Sequence, residues 1–201
     1  PIADGAVTLD VNANVAQDSV GNFNTAATQV SSTYDASRPS VLIQNVPATS
    51  NAPFTVTFSF SEAVSGFTSG DIIVGNGGAS SFTTVDSSTY TALITPIADG
   101  AVTLDVNANV AQDSVGNFNT AATQVSSTYD ASRPSVLIQN VPATSNAPFT
   151  VTFSFSEAVS GFTSGDIIVG NGGASSFTTV DSSTYTALIT PIADGAVTLD
   201  V

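Results

Sequence analysis

The residues able to do chemistry in this 201-residue chain are almost all carboxylates. Sixteen acids stand against Arg38 and Arg133, with no lysine, histidine or cysteine, for a formal charge of −14. Without His, Cys or Lys, nucleophile–base pairs and Schiff bases have no side chains to build them. A carboxylate pair of the kind that hydrolyses glycosides is the one catalytic arrangement left, and Glu62 with Asp71 is its sole candidate. Exact repetition along the chain argues against an active site, and the expectation is a protein that is not an enzyme. What carboxylates do without basic partners is hold hard cations. Oxygen-only ligands supplemented by loop carbonyls favour Ca²⁺ over Mg²⁺ where the geometry is flexible. The same charge repels phosphate backbones and anionic lipid, so neither nucleic acid nor a membrane is an expected partner.

The acids recur with the sequence. The stretch PIADGAVTLDV opens the chain and returns from Pro96 and again from Pro191, a period of 95 residues, and every comparable copy is identical. The hexapeptide Tyr129-Asp130-Ala131-Ser132-Arg133-Pro134, present also at 34–39, marks the junction. A period near 95 fits a whole small domain rather than a solenoid rung. The chain therefore divides into the C-terminal part of one repeat (1–35), a complete repeat (36–130) and the N-terminal part of the next (131–201). One repeat carries seven acids and one arginine, a net −6.

Seven short strands must position these acids. Residues 40–46 form an apolar run held extended by the preceding proline. Residues 54–61 alternate, with Phe54, Val56, Phe58 and Phe60 on one face and Thr55, Thr57, Ser59 and Ser61 on the other. Further strands follow at 72–75, 80–85, 89–95 (Tyr90, Ala92 and Ile94 inward), 101–108 (Val102, Leu104 and Val106 inward) and 122–129, with Asn76-Gly77-Gly78 as a turn signal. No apolar pattern at helical spacing is long enough for a helix. The profile is all-β, tandem immunoglobulin-like β-sandwich domains of about seven strands. No leader and no membrane span is visible in this stretch.

If the strands alternate in direction, three loops emerge at the pole where each domain begins. Glu62, Asp71, Asp86 and Asp113 then gather there beside Asp35 of the preceding linker. Two carboxylates about 5 Å apart repel by roughly 3 kcal/mol at an effective dielectric near 20, so a cation among them is expected. The metal candidates are Asp35, Glu62, Asp71 and Asp113, with their periodic equivalents Asp18, Asp130, Glu157 and Asp166. Asp86 and Asp181 are secondary, because an Asp-Ser-Ser turn needs its aspartate for local hydrogen bonding. Asp99 is by default a turn residue. Asp105-x-Asn107-x-Asn109 imitates half an EF-hand loop, but Val110 stands where glycine is required and Gly116 where the bidentate glutamate belongs.

The stretch VTFSFSEAVSGFTSGDIIV, the later AQDSVGN and the DASRP junction resemble the bacterial immunoglobulin-like repeats of giant surface adhesins, including those secreted with calcium-binding RTX tails. The resemblance covers the whole repeat. It implies a calcium-stiffened extender on the bacterial cell surface, between a membrane anchor and a terminal binding domain. Its partners would be neighbouring repeats of the same chain or head-to-tail copies, with the adhesion ligand outside this segment. The first and last partial repeats are complementary in strand content, which suits either a longer array or pairing between copies. The competing reading is that outward Thr55, Thr57, Ser59, Thr89, Thr91 and Thr95 form a face for glycan, ice or another surface, or that the chain is the subunit of a biofilm filament. Threonine also favours exposed strand positions without any ligand.

Overall fold

The computed structural model describes residues 2–201, which form two compact units with the boundary between Ala131 and Ser132. In the first, β1 (Gly5–Leu9) and β2 (Val30–Tyr34) make an antiparallel ribbon with Gly5 opposite Tyr34 and Leu9 opposite Val30. The complete repeat follows as β3 (Val41–Gln44), β4 (Thr49–Ser50), β5 (Phe54–Phe60), β6 (Ile72–Gly75), β7 (Gly77–Thr84), β8 (Thr89–Pro96), β9 (Gly100–Val106) and β10 (Val125–Tyr129). They build two four-stranded sheets, ordered β3-β5-β8-β7 and β4-β10-β9-β6. Between the sheets, the inward residues expected from alternation are buried: Val56, Phe58 and Phe60 from β5, Tyr90, Ala92 and Ile94 from β8, and Val102, Leu104 and Val106 from β9.

The chain changes sheets at one residue. Asn76 takes φ 57°, its amide donates to Ala98 O at 2.7 Å, and its carbonyl accepts from Ile97. The Asn-Gly-Gly signal is therefore a single-residue corner, with β7 resuming at Gly77 instead of a longer turn. A side chain on Gly77 would lie 2.9 Å from Thr95 O, which is why the second position has none. The two-residue β4, parallel to β10 through Thr49 opposite Thr128, is an addition that the alternation pattern does not contain. It lets the first part of the chain cross from one sheet edge to the other.

The second unit repeats the pattern with β11 (Val136–Gln139), β12 (Phe149–Phe155), β13 (Ile168–Gly170), β14 (Gly172–Thr179), β15 (Thr184–Pro191) and β16 (Thr198–Asp200). Its sheets are β11-β12-β15-β14 and β13-β16. Val151, Phe153, Ala187 and Ile189 are fully enclosed, so the inner faces of β12 and β15 define the core here too. Among the described residues no helix is long and apolar enough to cross a membrane.

Candidate functional site

Phe67 fixes the loop between β5 and β6. It comes from a glycine-containing loop, yet it is buried, with ring centroids 5.1 Å from Phe60 and 5.2 Å from Tyr90 in edge-to-face contact. The Tyr90 hydroxyl donates to Val64 O at 3.2 Å, which pins the same loop from the other side. Val64 N–H donates to Ser87 O in the β7–β8 turn, and Ser65 and Gln112 exchange backbone hydrogen bonds at 2.7 and 3.0 Å. The loops after β5, β7 and β9 are thus stitched at one pole, next to Ser40, whose carbonyl accepts from Ser61 N–H.

The loop after β9 is organised by two side chains. Asn119 is wholly buried; its Oδ1 accepts from Val110 and Ala111 N–H at 2.9 Å each, and its Nδ2 donates to Asn107 O and Thr120 O at 3.0 and 2.8 Å. Every polar position of that carboxamide is used. Asp113, 5% exposed, accepts on Oδ1 from the N–H groups of Val115, Gly116 and Asn117 at 2.7 to 2.9 Å, and on Oδ2 from the Asn117 amide at 2.8 Å. Gly116 sits at φ 97°, the left-handed conformation that turns its N–H towards the carboxylate. The same pattern forms in the exposed β1–β2 ribbon, where Asp18 accepts from Val20 and Asn22, and Asn24 from Val15 and Ala16. This loop is therefore coded locally, by side-chain-to-backbone bonds that do not need the sandwich.

Three carboxylates converge at this pole. Oxygens of Asp35, Glu62 and Asp113 lie within 4.8 Å of one another, Asp113 buried and the other two half-buried. Burial pushes the Glu62 carboxyl above its ordinary range, and the negative charges of Asp35, Asp113 and Asp4 push it further. Burial also opposes ionisation of Asp113, but the Asn117 side chain and the backbone amides outweigh it and hold this carboxyl below the usual range. No lysine exists to offset the charge, and the guanidinium of Arg38 is directed elsewhere: it donates to Phe118 O, Asn109 Oδ1 and Asn119 O at 2.6 to 2.7 Å. The linker is lashed to the sandwich by this residue and by Asn117, whose Nδ2 reaches Asp35 O at 3.1 Å.

The other sequence-derived candidates lie outside the trio. Asp71 ends a 3₁₀ turn, Ser69–Asp71, and its Oδ2 accepts from both the backbone N–H and hydroxyl of Thr68 at 2.8 Å. Asp166 does the same with Thr163. Asp86 and Asp181 accept from the backbone and hydroxyl of Ser88 and Ser183. These carboxylates close their own turns, and Asp71 does not join Glu62 in the trio. Asp18, Asp130 and Glu157 are exposed. Asp105 accepts from Val106 N–H on β9 and Asn109 from Arg38, so the imitation of an EF-hand is three residues with separate duties. On the outer sheet face, Thr57 stands opposite Thr91 and Ser59 opposite Thr89; Asn45 donates to Thr57 and Ser59 to Gln44, so part of that hydroxyl face is engaged with its own sheet.

The donor set fits a hard cation. It offers carboxylate oxygens only, from a linker, a loop pinned by aromatic packing and a loop pinned by an asparagine, with a glutamate held in unfavourable proximity to other acids. Sequence reasoning missed Asn117, Asn119 and Asp4, although the Asp-x-x-Gly-Asn spacing was a signal for the first.

Two four-stranded sheets in this order, enclosing one core, define an immunoglobulin-like β-sandwich. A family model described as bacterial Ig-like domain matches residues 35–129 and 130–201, and the chain belongs to that family. Among solved structures, invasin, described as a bacterial integrin-binding protein, is 19% identical over 98% of this chain and 49% of its own, with a TM-score of 0.47. InvD of Yersinia pseudotuberculosis is 18% identical over 83% of this chain and 57% of its own, at 0.30. Domains 4–9 of the surface layer protein SbsC are 10% identical over 97% and 32%, also at 0.30. The chain spans about half the length of the invasin structure. No curated protein matches it.

Proposed function

We propose that this chain is an extender segment of a bacterial cell-surface adhesin, in which the linker entering the complete repeat helps to hold Ca²⁺. Asp35 from the linker, Glu62 from the β5–β6 loop and Asp113 from the β9–β10 loop are its carboxylate ligands. The observation that carries this reading is the meeting of three acidic oxygens within 4.8 Å at the place where the linker enters the sandwich. Membership of the bacterial Ig-like family and the resemblance to adhesin repeats support the extender role and the extracellular setting. The cation would neutralise the trio and tie the linker to two loops of the following domain, so that bending at the junction is opposed. Asp130 and Glu157 are the sequence equivalents of Asp35 and Glu62, and Asp18 is the equivalent of Asp113.

Thermal unfolding of the 201-residue chain in chelator and in millimolar Ca²⁺ tests the reading. A ligand that binds only the folded state stabilises by about 2.7 kcal/mol at a hundred times its dissociation constant. A rise in Tm with Ca²⁺, absent with Na⁺ at equal ionic strength, is the expected result. Superimposable melts with and without Ca²⁺ would remove the cation from the account and leave a plain spacer.

A further inference from the structure

Asp4 lies ahead of β1, outside the trio, in a turn whose sequence needs an aspartate only for itself. Its carboxylate nevertheless reaches the linker. Oδ1 accepts from Ala36 N–H at 2.8 Å and Oδ2 accepts from the Ser37 hydroxyl, residues 32 and 33 positions further along the chain. The contact recurs from the same sequence: Asp99, one period later, accepts from Ala131 N–H at 2.8 Å. Between these ties sits Asp35. Its carbonyl is held by Asn117 from the following sandwich and its own carboxylate accepts from Ser37 N–H at 3.0 Å. Arg38, next in line, is anchored to the β9–β10 loop by three further hydrogen bonds.

We infer that Asp4, and Asp99 at the following junction, are positioning residues: a clasp from the preceding repeat that fixes residues 35–37 and so aims the Asp35 carboxylate at Glu62 and Asp113 before any cation arrives. Asp4 lies outside the trio and both its oxygens accept from linker donors, so the part assigned to it is to hold the backbone. A charged acceptor taking a backbone N–H and a hydroxyl is the stronger class of hydrogen bond, and the hydroxyl and amide hold the Asp4 carboxyl below its ordinary range. Preorganising a ligand-bearing segment raises affinity by removing the ordering cost from the binding step. The cation half of this inference rests on the proposed function; the clasp itself does not.

The test changes both clasps together, because the two junctions have the same sequence and their peptides report jointly. In the 201-residue chain, Asp4→Ala/Asp99→Ala removes the acceptors, whereas Asp4→Asn/Asp99→Asn keeps a carbonyl oxygen for the Ala36 and Ala131 amides and removes the charge. Amide exchange is measured in chelator on the Tyr-Asp-Ala-Ser-Arg-Pro segments. The alanine pair should exchange about tenfold faster than the parent, and the asparagine pair should stay within about threefold. A Ca²⁺ titration should then show affinity about tenfold weaker for the alanine pair and within about threefold for the asparagine pair. Unchanged exchange in the alanine pair overturns the clasp whether or not Ca²⁺ binds. Equal weakening of Ca²⁺ binding by both pairs overturns positioning in favour of bare charge. If the parent chain takes up no Ca²⁺, the proposed function fails, and the exchange measurement still decides the clasp.

Discussion

Replacing Glu62 by glutamine removes one charge from the trio while keeping the side chain's size and one carbonyl oxygen. Asp35 and Glu62 have oxygens within 4.8 Å, where two unit charges repel by about 3.5 kcal/mol at an effective dielectric of 20. Both side chains are partly open to water, and screening reduces this to about 1 kcal/mol. In chelator, Glu62→Gln should therefore be more stable than the parent by that amount, a rise in Tm of about 4–8 °C for a domain of this size. With Ca²⁺ that advantage disappears. At ten times the parent's dissociation constant, Ca²⁺ contributes about 1.4 kcal/mol; a variant bound tenfold more weakly gains only about 0.4 kcal/mol at the same concentration. Differential scanning calorimetry of the whole chain, with Glu157 left intact, shows which transition moves. A variant less stable than the parent in chelator would mean that Glu62 is not in repulsive surroundings, and a full Ca²⁺ response would mean that it is not a ligand.

Phe67→Ala empties a position packed against Phe58, Phe60, Phe82 and Tyr90 and should cost about 3–5 kcal/mol, measured by denaturant melts. It should also blunt the Ca²⁺ response, since the ring anchors the loop that bears Glu62. Asn119→Ala leaves two buried N–H groups and two carbonyls without their partner and should cost about 3 kcal/mol, with accelerated amide exchange at Val110 and Ala111 as the local readout. The pH dependence has two parts. Glu62 titrates above its ordinary range when folded, so the folded state takes up its proton first, and metal-free stability should rise as pH falls from 7 to about 5. Asp113 and Asp4 titrate below theirs, so the stability they contribute is present above the ordinary aspartate range and is lost below about pH 3.5. Scanning calorimetry in chelator across pH 3 to 7 checks both limbs, and a monotonic curve would contradict the first.

The strands were legible because period-2 alternation over β5, β8 and β9 leaves one apolar face, and burying that face settles the sheet. What alternation does not encode is short or local. β4 is two residues joined to β10 by backbone alone, and the Asn76 corner depends on one left-handed residue. Phe67 is the core's most connected ring and looked like a loop residue, because its neighbours are Gly66 and Thr68 and no periodicity surrounds it. The pole was legible from strand alternation, but not which acids share it. Asp71 is taken by Thr68, a threonine three residues ahead of an aspartate, and Asp86 by Ser88; these local bonds outcompete a shared cluster. Asp35 and Asp113 are brought to Glu62 by Asn117, Arg38 and the Ser65–Gln112 stitch, contacts between residues up to about eighty positions apart that no local spacing announces.

The most direct measurement is anomalous diffraction from crystals of this chain grown in CaCl₂, collected at a long wavelength where calcium scatters anomalously. The account predicts a peak at the Asp35, Glu62 and Asp113 carboxylates, about 2.3–2.6 Å from an oxygen of each. Well-ordered density for all three side chains, with no anomalous peak among them at millimolar Ca²⁺, would contradict it.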